Sequence, residues 1–282
     1  MSTLSGRKPS ARQSMFRGNP ILNRLSKMKE ESTSSDLATY GGIASKTTFF
    51  LVLTLAGIVL QQIVMQAMQN EPALATITLY EKFTVTFARK EIIALAAAVI
   101  IGFIAELLGI FATRTVPVTG SIYSVSQGYV ISFLVFKVLK GYEYLGLEAL
   151  LLTVVVVAVM SWLYKAGVIK DGKKYRLVML SLVLGSIGFS LLSFLGSLIP
   201  FTRPYVQTMM QNPGLTIALD VIGLVIAALF LISDFSMIDR CVKDGYPKQY
   251  EWSAAFGLVF TVLWIYLKIL DLLMQFSGKD DK

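Results

Sequence analysis

The sequence predicts an all-α membrane protein with seven transmembrane helices, and three observations carry that expectation. Mean hydropathy is +0.64 and only 16% of residues are charged, against roughly 25% in a soluble domain. Seven apolar runs each approach the ~20 residues that about 30 Å of hydrocarbon requires. The last two runs nevertheless contain Asp220, Asp234, Lys268 and Asp271. Each ionisable group costs about 2.5–3.5 kcal/mol at the bilayer centre, so such groups persist when paired, facing water, or acting. No sheet is expected, because in lipid only helices and closed barrels satisfy every backbone group.

In chain order, residues 1–45 form a basic tail, residues 46–276 the seven-helix domain and residues 277–282 a short second tail. In the first tail Arg7, Lys8, Arg12, Arg17, Arg24, Lys27 and Lys29 are interleaved with Ser, Gly and Pro. That pattern fits a disordered topogenic segment. The alternative is a segment laid on anionic lipid through Met15, Phe16, Ile21, Leu22 and Leu25. The first span is expected over Phe49 to Met68. The second, Ile92 to Ala112, carries Ala98, Gly102, Ala105, Gly109 and Ala112 along one helical face, a stripe that lets neighbouring helices approach closely. Glu106 sits just off that stripe and needs a partner, a water or a proton.

The third span, Val116 to Val138, is the most polar, with Thr119, Ser121, Tyr123, Ser124, Ser126, Gln127 and Tyr129 before an apolar end. It faces the interior, as hydrogen-bonded glue or as the lining of a wet path. The fourth covers Leu145 to Tyr164. The fifth, Leu177 to Ile199, has a second small-residue stripe of Ser181, Gly185, Gly188, Ser193, Gly196 and Ser197, expected to be a packing face. Leu215 to Phe235 and Ala254 to Phe276 complete the set, and Asp239, Arg240, Lys243, Asp244, Lys248 and Glu251 between them suggest a solvated loop.

Seventeen Lys and Arg flank the spans on the side of the N-terminus and eight on the other. This bias predicts a cytoplasmic N-terminus and an external C-terminus. No apolar signal segment precedes the first span. The formal net charge of +8 is then a topology signal, and no nucleic-acid partner is expected. Cys241 is the single cysteine and histidine is absent, so there is no internal disulfide and no imidazole pH switch. Without Cys or His clusters, a Ser-His-Asp set or a phosphate-binding glycine loop, enzymatic activity and a resident cofactor are not expected, and no metal ligands are assigned.

Several short segments carry a resemblance. Asp234-Phe-Ser-Met-Ile, with Val221-Ile-Gly earlier in the sixth span, and Trp264-Ile-Tyr-Leu-Lys-Ile-Leu-Asp-Leu-Leu resemble the last two helices of the transmembrane Bax inhibitor motif family. Asn19-Pro-Ile-Leu, Tyr40-Gly-Gly-Ile-Ala-Ser-Lys-Thr, Tyr123-Ser-Val-Ser-Gln-Gly and Glu251-Trp-Ser-Ala-Ala-Phe-Gly-Leu are similar to its bacterial Bax-inhibitor/YccA-like branch. The resemblance implies a seven-helix fold with the last helix central, a bacterial inner membrane, and a proton-sensitive leak for calcium or other cations. It also implies a gate in which an aspartate ending the sixth helix shares a proton with an acid in the seventh. Asp234 matches the first position, whereas Lys268 occupies the second and Gln127 stands where the branch shows Glu. Some relatives are non-conducting and bind membrane proteases or other integral partners, which is the alternative function.

Three expectations follow for these residues. Asp234 pairs with Lys268 or with Arg114; Asp271 supplies the missing acid; Glu106, Asp220, Tyr123 and Gln127 line a pore or cavity. Depth counting disagrees with the first pairing. It sets Asp220 level with Asp271 and Asp234 about 21 Å away from them along the helix axis.

Overall fold

The computed structural model describes residues 37–277 apart from Gln69, Tyr80, Glu81, Lys170 and Gln211. The basic tail up to residue 36 and residues 278–282 of the second tail lie outside the described residues. Seven helices are long and apolar enough to cross a membrane. They are α1 (Tyr40–Ala67), α2 (Arg89–Phe111), α3 (Val116–Ser132), α4 (Tyr144–Lys165), α5 (Lys173–Leu198), α6 (Pro213–Lys243) and α7 (Tyr250–Ser277). Successive helices run antiparallel. The end of the bundle where α1 begins is termed proximal and the opposite end distal.

Each boundary has a local cause. The Thr39 hydroxyl caps α1 by accepting from the Gly42 N–H at 2.9 Å, satisfying one of the donors every helix start leaves open. Residues 40–45, the last six expected to belong to the tail, are therefore helical. At α6 the Asn212 side chain accepts from Gly214 and Leu215 while Pro213 occupies the first turn. The end of α4 folds back through Gly167 at φ 68°. Its N–H reaches Tyr164 O and the next N–H reaches Leu163 O, a pairing that needs a left-handed residue and so favours glycine.

The expectation of no sheet is overturned. An antiparallel hairpin of β1 (Ala73–Leu79) and β2 (Phe83–Ala88) joins α1 to α2 at the distal end. Phe83, Val85 and Phe87 point inward and are buried, whereas Thr84 and Thr86 pair with Thr78 and Thr76 on the outer face. Strands are tolerated there because a loop at the membrane rim can meet water; the constraint of closed hydrogen bonding applies only within hydrocarbon. The distal end is further tied where Lys137 donates to the buried Glu91 at 3.0 Å. Lys137 reaches it from a π-helical turn, Phe133–Val138, that extends α3.

Interior position divides the helices sharply. In the most hydrophobic windows 61% of α3 and 50% of α7 is buried, against 6% of α5. The last helix packs on α6, α1, α4 and α3, and so has the central place expected of it. The polar content of α3 is explained by this burial: Thr119, Ser124, Ser126 and Ser132 are inside. Of the two small-residue stripes, the one on α2 is used. A Cβ at Gly102 would lie 3.0 Å from Ser126, and one at Gly109 would lie 2.8 Å from the Phe256 ring. The stripe on α5 is mostly unused within the chain, since Gly185 and Gly188 face nothing within 4 Å.

Candidate functional site

The expected loop after the sixth span is largely helix. Hydropathy ends near Phe235, yet α6 continues to Lys243, because α-helical hydrogen bonding is indifferent to where the apolar run stops. Asp239, Arg240 and Lys243 are therefore helical residues. Glu251 is fully buried, not solvated.

Two packing contacts fix the register of α6 against α7. Gly223 lies beside the Lys268 side chain and Gly257 beside the Asp234 carboxylate. Lys268 is eleven residues beyond Gly257, about 16.5 Å at 1.5 Å per residue, which is farther than a lysine side chain extends. The Asp234–Lys268 pair does not form; depth counting, which set Asp220 level with Asp271, gives the right level but not the partner, which is Lys268. Lys268 Nζ donates to Asp220 Oδ1 at 2.6 Å, and Gln275 Nε2 donates to Oδ2 at 2.6 Å. Asp271 lies between Lys268 and Gln275 on the same helical face, half-buried and with an interaction of its own. It sits fourteen residues from Gly257, about 21 Å in axial rise, and so is not placed to share a proton with Asp234. Arg114 is exposed on a turn between α2 and α3 and pairs with no carboxylate among the described residues.

One face of α7 looks at α6 along its whole length. Ser253, Gly257, Thr261, Trp264, Lys268 and Gln275 recur at steps of three, four and seven, the spacing of one helical face. Asp234 meets the proximal part of this face. Its Oδ2 is buried and has no hydrogen-bond partner, and the same is true of Ser253 Oγ. The Thr261 hydroxyl lies near the carboxylate, but its single proton is donated to Gly257 O at 3.1 Å. Further along, the rings of Phe230 and Trp264 meet at 6.0 Å between centroids. They separate Asp234 from the Asp220–Lys268–Gln275 cluster, so the seam is polar, then aromatic, then polar.

The remaining candidates lie on α2 and α3. Tyr123 is 3% exposed and packs against Phe256 and Phe260 at 5.3 and 5.8 Å. The half-buried Glu106 approaches it electrostatically from α2. Gln127 is half-buried one turn further along α3. Ser124 Oγ, at nearly the same depth as Tyr123, is another buried atom without a partner.

Sequence reasoning missed the most enclosed ion pair. Glu251 accepts from Lys46 Nζ, from the Thr39 N–H at 2.8 Å and from the Thr39 hydroxyl at 3.2 Å. The pair ties the start of α1 to the start of α7, reinforced where Ala38 N–H donates to Tyr246 O at 2.8 Å. A signal existed, since Lys46 and Glu251 both lie in the quoted family segments. Among the described residues no cluster of acidic or sulfur side chains could hold a metal ion.

The Lys268 cluster yields a stability prediction. Lys268→Met leaves Asp220 part-buried with Gln275 as its remaining donor, and the expected loss is about 2 kcal/mol. Unfolding of the purified protein in mixed micelles measures it; Asp220→Asn combined with Lys268→Met should recover most of the loss. A single variant as stable as the parent would show that the pair contributes nothing.

Comparison with known proteins agrees with this architecture. A search of curated proteins returns no match. The family model described as Bax inhibitor 1 like matches residues 19–278, a span that contains all seven helices, the α6–α7 seam and the Lys46–Glu251 pair. The chain belongs to the Bax inhibitor 1 like family.

Proposed function

We propose that the protein is a proton-sensitive cation leak, for calcium or other cations, whose path follows the seam between α6 and α7 and whose switch is the Asp234 carboxylate. The observation that carries this reading is the buried Asp234 Oδ2 without a partner, set against a polar face of the central helix. A charge left uncompensated out of water is costly and characteristic of a functional group. Protonation exchanges an acceptor for a donor and changes which of Thr261 and Ser253 it can bond. The Phe230–Trp264 contact forms the apolar constriction of the path, and the Asp220–Lys268 pair its distal barrier. Membership of the family supports a membrane location; a bacterial inner membrane with the N-terminus in the cytoplasm is the setting we infer from the residue motifs and the charge bias.

Calcium flux into proteoliposomes, compared at about pH 6 and about pH 8, tests the reading. The parent should conduct differently at the two values, and Asp234→Asn should abolish most of that difference. A pH response that survives Asp234→Asn would remove this residue from the switch.

One observation favours the second reading, a non-conducting protein that modulates a membrane protease or another integral partner. Calcium requires several oxygen ligands, and the Lys268 ammonium lies in the seam where such ligands would be needed. Absence of flux at both pH values would select this reading.

A further inference from the structure

At the proximal end, outside the seam, a crevice of about 600 Å³ opens between the end of α4, the end of α6 and the start of α1. Tyr40, Tyr164, Lys165, Asp171, Asp239 and Lys243 line it. Its two carboxylates are already occupied. Asp239 accepts from Tyr40 at 2.8 Å, from Tyr164 at 3.1 Å and from Lys243 at 2.5 Å. Asp171, with a side chain 3% exposed, is held by Arg176 through two bonds of 2.8 and 2.9 Å and by Arg240 at 3.2 Å. The bond from the Arg176 guanidinium holds the Asp171 carboxyl below its ordinary range, so it stays ionised and bound to its cations.

The charges do not balance. Lys243, Arg176 and Arg240 face two carboxylates, and Lys165 is exposed without an ion pair among the described residues. The cluster therefore carries two surplus positive charges. The sequence adds Lys173 and Lys174 nearby. Trp162 and Val168, next in sequence to the lining residues Ser161 and Gly167, are each 65% exposed. An exposed apolar ring and aliphatic group adjoining a cationic, hydroxyl-bearing crevice match a molecule with an acyl chain and an anionic head.

We propose that this crevice seats the phosphate headgroup of an anionic phospholipid, with Lys165 as the principal phosphate ligand and Trp162 against the acyl region. The turn at Gly167 gives the site its shape, since it brings Lys165 and Asp171 onto one wall. The site is independent of the seam and of whether the protein conducts.

Native mass spectrometry of the full chain released from detergent tests the proposal, with phosphatidylglycerol and phosphatidylcholine of matched chains as probes and glycerol 1-phosphate as the soluble competitor. Phosphatidylglycerol should be retained preferentially. Lys165→Glu should lower that retention about threefold or more, and Lys165→Gln by less. Lys140→Gln, an exposed change at the distal end, should leave it unaltered. If Lys165→Glu does not fold, Lys165→Gln and Lys243→Gln carry the same comparison. Equal retention of the two lipids, or retention unaffected by every crevice variant, would overturn the proposal. Binding of millimolar glycerol 1-phosphate without retention of phosphatidylglycerol would overturn it in favour of a soluble phosphate ligand.

Discussion

Glu251→Ala should destabilise the protein by about 3 kcal/mol, the lower end of the range for removing one partner from a buried ion pair. The carboxylate is fully buried and receives three donors, the Lys46 ammonium and the Thr39 N–H and hydroxyl. Truncation strands all of them at once, and the Lys46 side chain is only 13% exposed, so water can recover little of the loss. The Trp252 ring lies 5.1 Å from the Lys46 ammonium and offers partial compensation, which is why the lower figure is appropriate. A double-mutant cycle separates the pair from the packing. Lys46→Met should be costly alone, and adding it to Glu251→Leu should return part of the stability, because neither charge is then stranded. Unfolding in mixed micelles reads both effects. A Glu251→Ala protein within about 0.5 kcal/mol of the parent would show that the pair is a crossing of convenience and not a tie between α1 and α7.

Glu251 also marks where the sequence became unreadable. The seven spans were legible because each is a long apolar run, and length against bilayer thickness is a one-dimensional property. Ion-pair partners are not. Glu251 stands among Lys248, Asp244 and Lys243, and hydropathy assigns it to solvent with them. Only the packing of α1 against α7, two hundred residues apart in sequence, encloses it. Depth counting nonetheless placed Asp220 at the level of the distal part of α7, since axial rise per residue is fixed. It named Asp271 at that level, whereas the partner is Lys268, one turn away on the same face. Motif matching singled out Asp234, whose Oδ2 is buried without a partner, but the neighbour suggested for it, Lys268, lies eleven residues beyond the Gly257 that the carboxylate meets. The hairpin was legible and overlooked: Phe83, Val85 and Phe87 alternate with Thr84 and Thr86, the period of a half-buried strand.

The glycines show the same limit. The stripes on α2 and α5 look alike in sequence, yet the tightest crossing in the molecule uses neither. It is made by single glycines on α1 and α3. A Cβ at Gly128 would lie 1.9 Å from Thr54 O, and one at Gly57 would lie 2.1 Å from Val125 O. Both obstacles are backbone atoms inside helices, which cannot rotate aside as a side chain can. Gly128→Ala should therefore force α1 and α3 apart and cost about 3 kcal/mol or more, at or above the usual upper range for overpacking. The damage should extend beyond the crossing. One turn further along the same interface the single proton of the Ser132 hydroxyl is shared between Gln61 Oε1 at 2.8 Å and Ile58 O at 3.2 Å, and separation would break that bond in a dry environment. Gly185→Ala supplies the contrast, because nothing lies within 4 Å of its Cβ. There the change should be neutral or stabilising by up to about 1 kcal/mol through helix propensity. Unfolding of both variants under one set of conditions decides the matter. If Gly128→Ala is tolerated as well as Gly185→Ala, the α1–α3 crossing is looser than the backbone distances require.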